Sequence, residues 1–111
     1  MSEQLILQNL SVELRRGTMV LIVLQELSNQ QYGYSLLESL EAKGAKVEAG
    51  TLYPLLRRLE SQGLLTSQWD TSEARPRKYY VLSESGKKIL LALKNEWQLI
   101  NQEVSAFTKE S

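Results

Sequence analysis

Leucines at positions 52, 55, 56 and 59 fall at the i, i+3, i+4, i+7 spacing of one helix face. The spacing predicts a helix over residues 49–62, with Gly63 as its stop. Pro54 lies within the first turn and a half, where a missing backbone donor costs least. Thr51, Tyr53, Arg57, Arg58 and Ser61 then fall elsewhere on the helix surface, a second face that packing alone does not require. Upstream, residues 11–27 read as a helix whose later part, Met19 to Leu24, is apolar nearly all round and so is covered on several sides. Leu5 to Leu10 either extend that helix or form a separate arm. Turn chemistry is expected at Gly33, after which Ser35 and Glu38 have the spacing of a capping box. Leu36, Leu37 and Leu40 supply the inner face of a short second helix, and Gly44 is placed to end it. Beyond Gly63, residues 64–70 and 77–82 read as two strands joined by the polar loop "TSEARP". Tyr80 is expected in the core by the strand's alternation, and Trp69 under the hairpin. Ser83 is the expected N-cap of a long final helix, with Glu84 suited to the positive helix end.

The order is helix, helix, helix, strand, loop, strand, helix. It predicts a mainly α chain with a small β-hairpin (α+β), arranged as a winged helix-turn-helix. Residues 1–82 would form the winged region and residues 83–111 a C-terminal dimerisation helix, within one structural domain. This architecture gives the second face of the third helix a use, because such a helix lies in the major groove of double-stranded DNA. Thr51, Tyr53, Arg57 and Arg58 would face the DNA, with Tyr53 as an exposed phosphate-binding hydroxyl. One of the two adjacent arginines is expected to be an ordinary solvated charge. Arg75, Arg77 and Lys78 would supply the hairpin's cations; the bland alternative is that they guard an edge strand.

In the last helix, Leu90, Leu93, Trp97, Ile100, Val104 and Phe107 are spaced three, four, three, four, three, a heptad seam. A helix of ~25 residues is ~38 Å long and overhangs so small a domain. A second copy of the chain is the expected partner for the overhang, packed on the apolar first helix. Trp97 anchors that packing.

Composition narrows the function. The chain has 111 residues, 42% hydrophobic and 23% charged, which fits one globular domain with a modest core. Cysteine is absent, so disulfides and thiolate metal sites are excluded; histidine is absent too, removing the usual zinc ligand and general base. With no phosphate loop or nucleophile motif, neither an enzyme nor a cofactor is expected. No apolar run reaches the length of a membrane span, and the first residues lack the basic region of a signal peptide, so a cytoplasmic protein is expected. Net charge is zero, but it is unevenly spread. Residues 1–41 carry two basic and five acidic side chains, a balance of −3; residues 42–82 carry seven and four, a balance of +3; residues 83–111 balance at four each. The positive segment is the one with the second helix face and the hairpin, and local field matters more to a polyanion than the total.

The blocks "YGYSLLESL", "GTLYPLLRRLESQGLL" and "RPRKYYVLSESGKKIL" occur in order and resemble the hallmark blocks of PadR-type transcriptional regulators, from about Arg15 into the final helix. The resemblance implies a dimeric, ligand-responsive DNA-binding protein, most often a repressor. By position it places Thr51, Tyr53 and Arg57 on the recognition helix and Arg75, Arg77 and Lys78 on the wing. It also implies that Trp97 borders a cavity between subunits where flat aromatic compounds stack. Two residues depart from the pattern. Glu48 stands where a small capping residue is common, and Val81 replaces a commonly basic residue of the second wing strand. Both motivate the alternative of a protein-interaction adaptor that keeps the fold without useful DNA affinity.

Overall fold

The computed structural model describes residues 2–109. Its first element, α1 (Glu3–Glu26), is one continuous helix, so Leu5 to Leu10 extend it and do not form an arm. Ser2 starts it: its side chain accepts from the Leu5 N–H at 3.1 Å, and Glu3 meets the positive helix end. A two-residue strand, β1 (Gln31–Tyr32), follows and leads directly into α2 (Gly33–Ala42). The expected capping box is absent. The helix starts two residues before Ser35, so the Ser35 hydroxyl lies inside it and donates to the Tyr32 carbonyl at 2.9 Å. Gly33 makes no turn either; it is buried against Tyr53, and a Cβ there would lie 2.5 Å from the Tyr53 Cε1.

The recognition-type helix α3 (Ala49–Ser61) spans the expected residues. Both α2 and α3 end in the same way. Gly44 and Gly63 take positive φ (91° and 80°), which only glycine adopts freely. The next N–H then reaches back to the helix, from Ala45 to the Leu40 carbonyl (2.8 Å) and from Leu64 to the Leu59 carbonyl (3.0 Å). These are Schellman closures.

The hairpin strands β2 (Leu65–Asp70) and β3 (Arg77–Leu82) pair antiparallel, with Ser67 opposite Tyr80 and Asp70 opposite Arg77. Strand β1 adds to the other side of β3, with Tyr32 opposite Tyr79, so the sheet has three strands in the order β1-β3-β2. The last helix, α4 (Glu84–Thr108), is capped by Ser83, whose hydroxyl accepts from the Gly86 N–H at 3.0 Å.

One apolar core joins these elements. Val23, Leu24 and Leu27 meet Leu36 and Leu40 of α2 and Leu52, Leu56 and Leu59 of α3, and Tyr80 and Leu82 close it from the sheet. Leu55 lies at its margin, half-buried. Tyr80 is a core residue, as its strand parity predicts. Trp69 is not under the wing: it sits near the hairpin's far end, beyond the core, and is 63% exposed. Glu26 ties α1 to α2 through Lys43 (2.5 Å) and the Ser39 hydroxyl (2.6 Å), and these partners, Lys43 first, hold its carboxyl below the usual range.

Two helical stretches project from this core, and the molecule measures 59 × 35 × 23 Å. On α4 only Gly86 and Leu90 are buried; Trp97, Ile100, Val104 and Phe107 are all exposed. On α1 the uncovered apolar residues are not Met19 to Leu24, which are buried or half-buried, but the preceding turns, Leu5, Leu7, Leu10 and Leu14 among them.

Gly86 abuts the Leu64 carbonyl oxygen, which a Cβ would overlap. Gly86→Ala should therefore cost about 1–3 kcal/mol of overpacking. In calorimetry that lowers the thermal midpoint by about 4–8 °C per kcal/mol for a chain of this size. Gly50, where a Cβ meets nothing within 4 Å, is the control: Gly50→Ala should leave the midpoint unchanged or raise it.

Candidate nucleic-acid interface

Helix α3 buries Leu52, Leu56 and Leu59 and exposes Thr51, Pro54, Arg57, Arg58 and Ser61. Arg57 and Arg58 are both exposed, and neither takes part in an ion pair among the described residues. Tyr53 differs from the expected free hydroxyl. It is half-buried at the edge of this face, its ring against Gly33. Glu48 is the N-cap of α3 by its backbone alone: its carbonyl accepts from the Thr51 and Leu52 N–H groups, while its carboxylate makes no capping bond. That exposed carboxylate suits the helix end but would repel phosphates.

The three wing cations are not gathered on one face. Successive strand residues point to opposite sides of a sheet, so Arg77 and Lys78 diverge. Lys78 turns toward α3, where its Nζ lies 3.3 Å from Glu60 and 5.4 Å from the centre of the Tyr80 ring. The Ser67 hydroxyl also donates to Glu60 and, with Lys78, holds that carboxyl below the usual range. Arg77 turns the other way, its guanidinium 4.2 Å from the centre of the Tyr32 ring and 3.5 Å from Glu73. Only Arg75, in the loop at the tip, is exposed and without an ion pair among the described residues. Val81 is half-buried opposite Thr66.

Near the tip of the wing, where β2 ends, lies a polar network that sequence reading missed. The Tyr32 hydroxyl donates to Asp70 at 2.5 Å, and Asp70 also accepts from the Ser72 hydroxyl (2.6 Å) and N–H (3.0 Å). Tyr79 packs edge-on against Tyr32, ring centres 5.9 Å apart, and donates to Gln68 at 2.6 Å. Donation from Ser72 first, then from Tyr32, pulls the Asp70 carboxyl down from 3.8 to about 2; the same bond raises the Tyr32 phenol. A tyrosine before the second helix and an aspartate ending the first wing strand were the available signals, but their meeting depends on β1, which is too short to leave a pattern.

A three-helix head, a recognition-type helix with a free basic face and a β-wing together make a winged helix-turn-helix. Residues 20–92 match the model of the transcriptional regulator PadR-like family. The chain belongs to the PadR-like family. Among its relatives is the transcriptional regulator Rv3488 of Mycobacterium tuberculosis, 35% identical over 79 residues, which cover 70% of this chain and 74% of that one. A PadR family transcriptional regulator from Eggerthella lenta is 43% identical, with a TM-score of 0.90 over 96% of this chain and 95% of that chain. A PadR-like regulator from Bacillus cereus is 26% identical, with a TM-score of 0.78 over 89% and 99% of the two chains. The protein is thus a PadR-family transcriptional regulator, and its relatives are regulators, not enzymes. No helix among the described residues is long and apolar enough to cross a membrane. Trp97, the residue that the PadR resemblance links to an effector, is 44% exposed on the uncovered stretch of α4.

The depressed Asp70 carboxyl makes the outer end of the wing sensitive to acid. A group whose folded pKa lies below its ordinary value supports the structure above that value and ceases to as pH falls through the folded pKa. The Tyr32–Asp70–Ser72 network should therefore be complete above the ordinary 3.8 and open as pH falls through about 2. Followed by NMR, the Ser72 amide shift should titrate with a midpoint near about 2, and Asp70→Asn should abolish the transition. A midpoint at 3.8 would mean that the network does not form in solution.

Proposed function

We propose that this regulator binds double-stranded DNA as a homodimer, represses transcription, and is released by a flat aromatic effector. The observation that carries the DNA reading is the outer face of α3, with Thr51, Arg57 and Arg58 exposed and the two arginines without an ion pair among the described residues. Thr51 lies in the first turn, where such helices approach base edges, and the arginines engage phosphates. Arg75 at the wing tip adds a further phosphate contact. Arg77 and Lys78, held by Tyr32 and Glu60, serve mainly to fix the wing, and Tyr53 offers its hydroxyl from the edge of the α3 face.

Binding to a DNA fragment from upstream of the gene, measured across salt concentrations, tests this reading. Arg75→Gln should weaken binding to all sequences and reduce the log–log salt slope by ~1.8, the loss of one phosphate contact from each wing of the dimer. Lys78→Gln should leave the slope unchanged. Thr51→Ala should alter which sequence is preferred, by ~1–3 kcal/mol at one base pair. No DNA binding by the wild-type protein would leave the adaptor reading, which Glu48 and Val81 favour.

The homodimer is supported by the two uncovered apolar stretches. Burying Trp97, Ile100, Val104 or Phe107 stabilises by ~1.5–3 kcal/mol each, and a second copy offers α1 and α4 surfaces of matching character. Two recognition helices about one DNA turn apart then suit a two-fold site. Where the two Trp97 indoles approach across the dimer axis, an apolar slot accommodates a planar aromatic, which acts through unequal affinity for the DNA-competent arrangement. Truncation after Leu93 should give a monomer or an aggregate by light scattering. In the full-length chain, where the dimer survives the loss of the indole, Trp97→Ala should abolish tryptophan quenching by flat aromatics. A well-folded truncated dimer, or quenching that persists without Trp97, would overturn these assignments.

A further inference from the structure

Beside the recognition helix, α1 and the connection of residues 43–48 leave a groove of about 630 Å³ that the Trp97 slot does not use and that shares only Thr51 and Arg58 with the DNA reading. Its floor is apolar: Met19 and Val20 of α1, Val47 of the connection and Leu55 of α3, all half-buried. Four exposed cations surround it, Arg15 and Arg16 from α1, Lys46 from the connection and Arg58 from α3. They stand against one carboxylate, Glu48, and Thr51 completes the wall nearest the start of α3. None of the four cations takes part in an ion pair among the described residues.

A DNA backbone is read by cations and N–H donors and has no use for an apolar floor. A surface that only had to meet an aliphatic partner has no use for four unpaired cations. Floor and rim together suit a ligand with an apolar body and an anionic head, in a cleft of the size small-molecule sites occupy. Guanidinium forks hold a planar oxyanion by two parallel bonds, and three of the four cations are arginines.

We propose that this groove binds a small amphipathic organic anion, an aromatic or branched aliphatic body bearing one carboxylate or comparable oxyanion, and that its occupancy competes with DNA. The body lies on Met19, Val20, Val47 and Leu55. The head engages Arg15, Arg16, Lys46 and Arg58, and the bound molecule covers Thr51. Arg58 and Thr51 cannot serve the ligand and the major groove at once. The ligand site stands on the groove alone; the competition rests on the DNA reading above.

Anilinonaphthalene sulfonate, an aromatic body with one anionic head, is the probe, and phenylnaphthylamine is its neutral counterpart. Titrated into the full-length, nitrogen-labelled protein, the sulfonate should shift the backbone amides of Met19, Val20, Val47 and Leu55. The neutral compound should bind at least about tenfold more weakly there, the scale set by charge-assisted contacts. The combined variant Arg15→Gln, Arg16→Gln, Lys46→Gln should weaken the sulfonate by a similar factor with an unchanged thermal midpoint. DNA should displace the bound fluorophore. Shifts confined to the surroundings of Trp97, no shifts at the four amides because a second copy fills the groove, or equal affinity for the neutral compound would each overturn the site. A fluorophore that stays bound while a mobility shift shows DNA on the protein would overturn the competition. If DNA does not bind at all, the DNA reading fails, and the amide shifts alone decide the groove.

Discussion

Ser83 sits where the end of α3, the wing and α4 meet, and its hydrogen bonds hold them in one arrangement. Its N–H donates to the Leu64 carbonyl (3.0 Å) and its hydroxyl to the Gly63 carbonyl (2.6 Å), joining it to the chain that leaves α3. That hydroxyl also accepts from the Gly86 N–H, starting α4. One residue earlier, the Leu82 N–H donates to the Leu27 carbonyl at 3.0 Å and binds β3 to the end of α1. Gly86 approaches the Leu64 carbonyl so closely that a Cβ would overlap it, so the first turn of α4 packs directly on the chain that leaves α3. The angle between the recognition helix and the long helix is therefore set by backbone groups, and backbone groups have few alternatives.

The wing is held from both sides. Lys78 and Ser67 bind Glu60 on the face toward α3, and Arg77, Tyr32 and Asp70 interlock on the other. Two of its three cations thus orient the hairpin before any polyanion arrives, and the free charge is at the tip. This division reconciles a basic segment with a protein of zero net charge: within residues 42–82 the cations without an ion pair among the described residues are Lys46, Arg57, Arg58 and Arg75, and they lie beside the α1–α3 groove, on the exposed side of α3 and at the wing tip.

Most of the fold was legible because it rests on local rules. The leucine period of α3, the two positive-φ glycines, the alternation of residues 77–82 and the Ser83 cap each act within a few residues of sequence. What was not legible depends on distant partners. Strand β1 has two residues and exists because β3 offers it an edge. Ser35 fits a capping box by spacing, but the helix starts earlier, at Gly33, which is packed against Tyr53 of a distant element. Trp69 looked like a packing residue, and no element extends far enough to cover it. The divergence of Arg77 and Lys78 was readable from strand parity, since adjacent strand residues cannot share a face. The partners Tyr32 and Glu60 were not readable, because they come from other elements.

The Ser83 junction also makes α4 a lever. The helix has 25 residues, so at 1.5 Å per residue its far end lies ~37 Å from the fulcrum. A rotation of about 5° there carries Phe107 by ~3 Å relative to the head, close to the rise of two helical residues. The gearing works in reverse as well. A displacement of a few ångströms imposed on the outer turns of α4 reaches the head as a small rotation of the whole rigid unit, with α3 and the wing turning together. Any message passed along this helix therefore changes the aim of the reading head and leaves its shape unaltered.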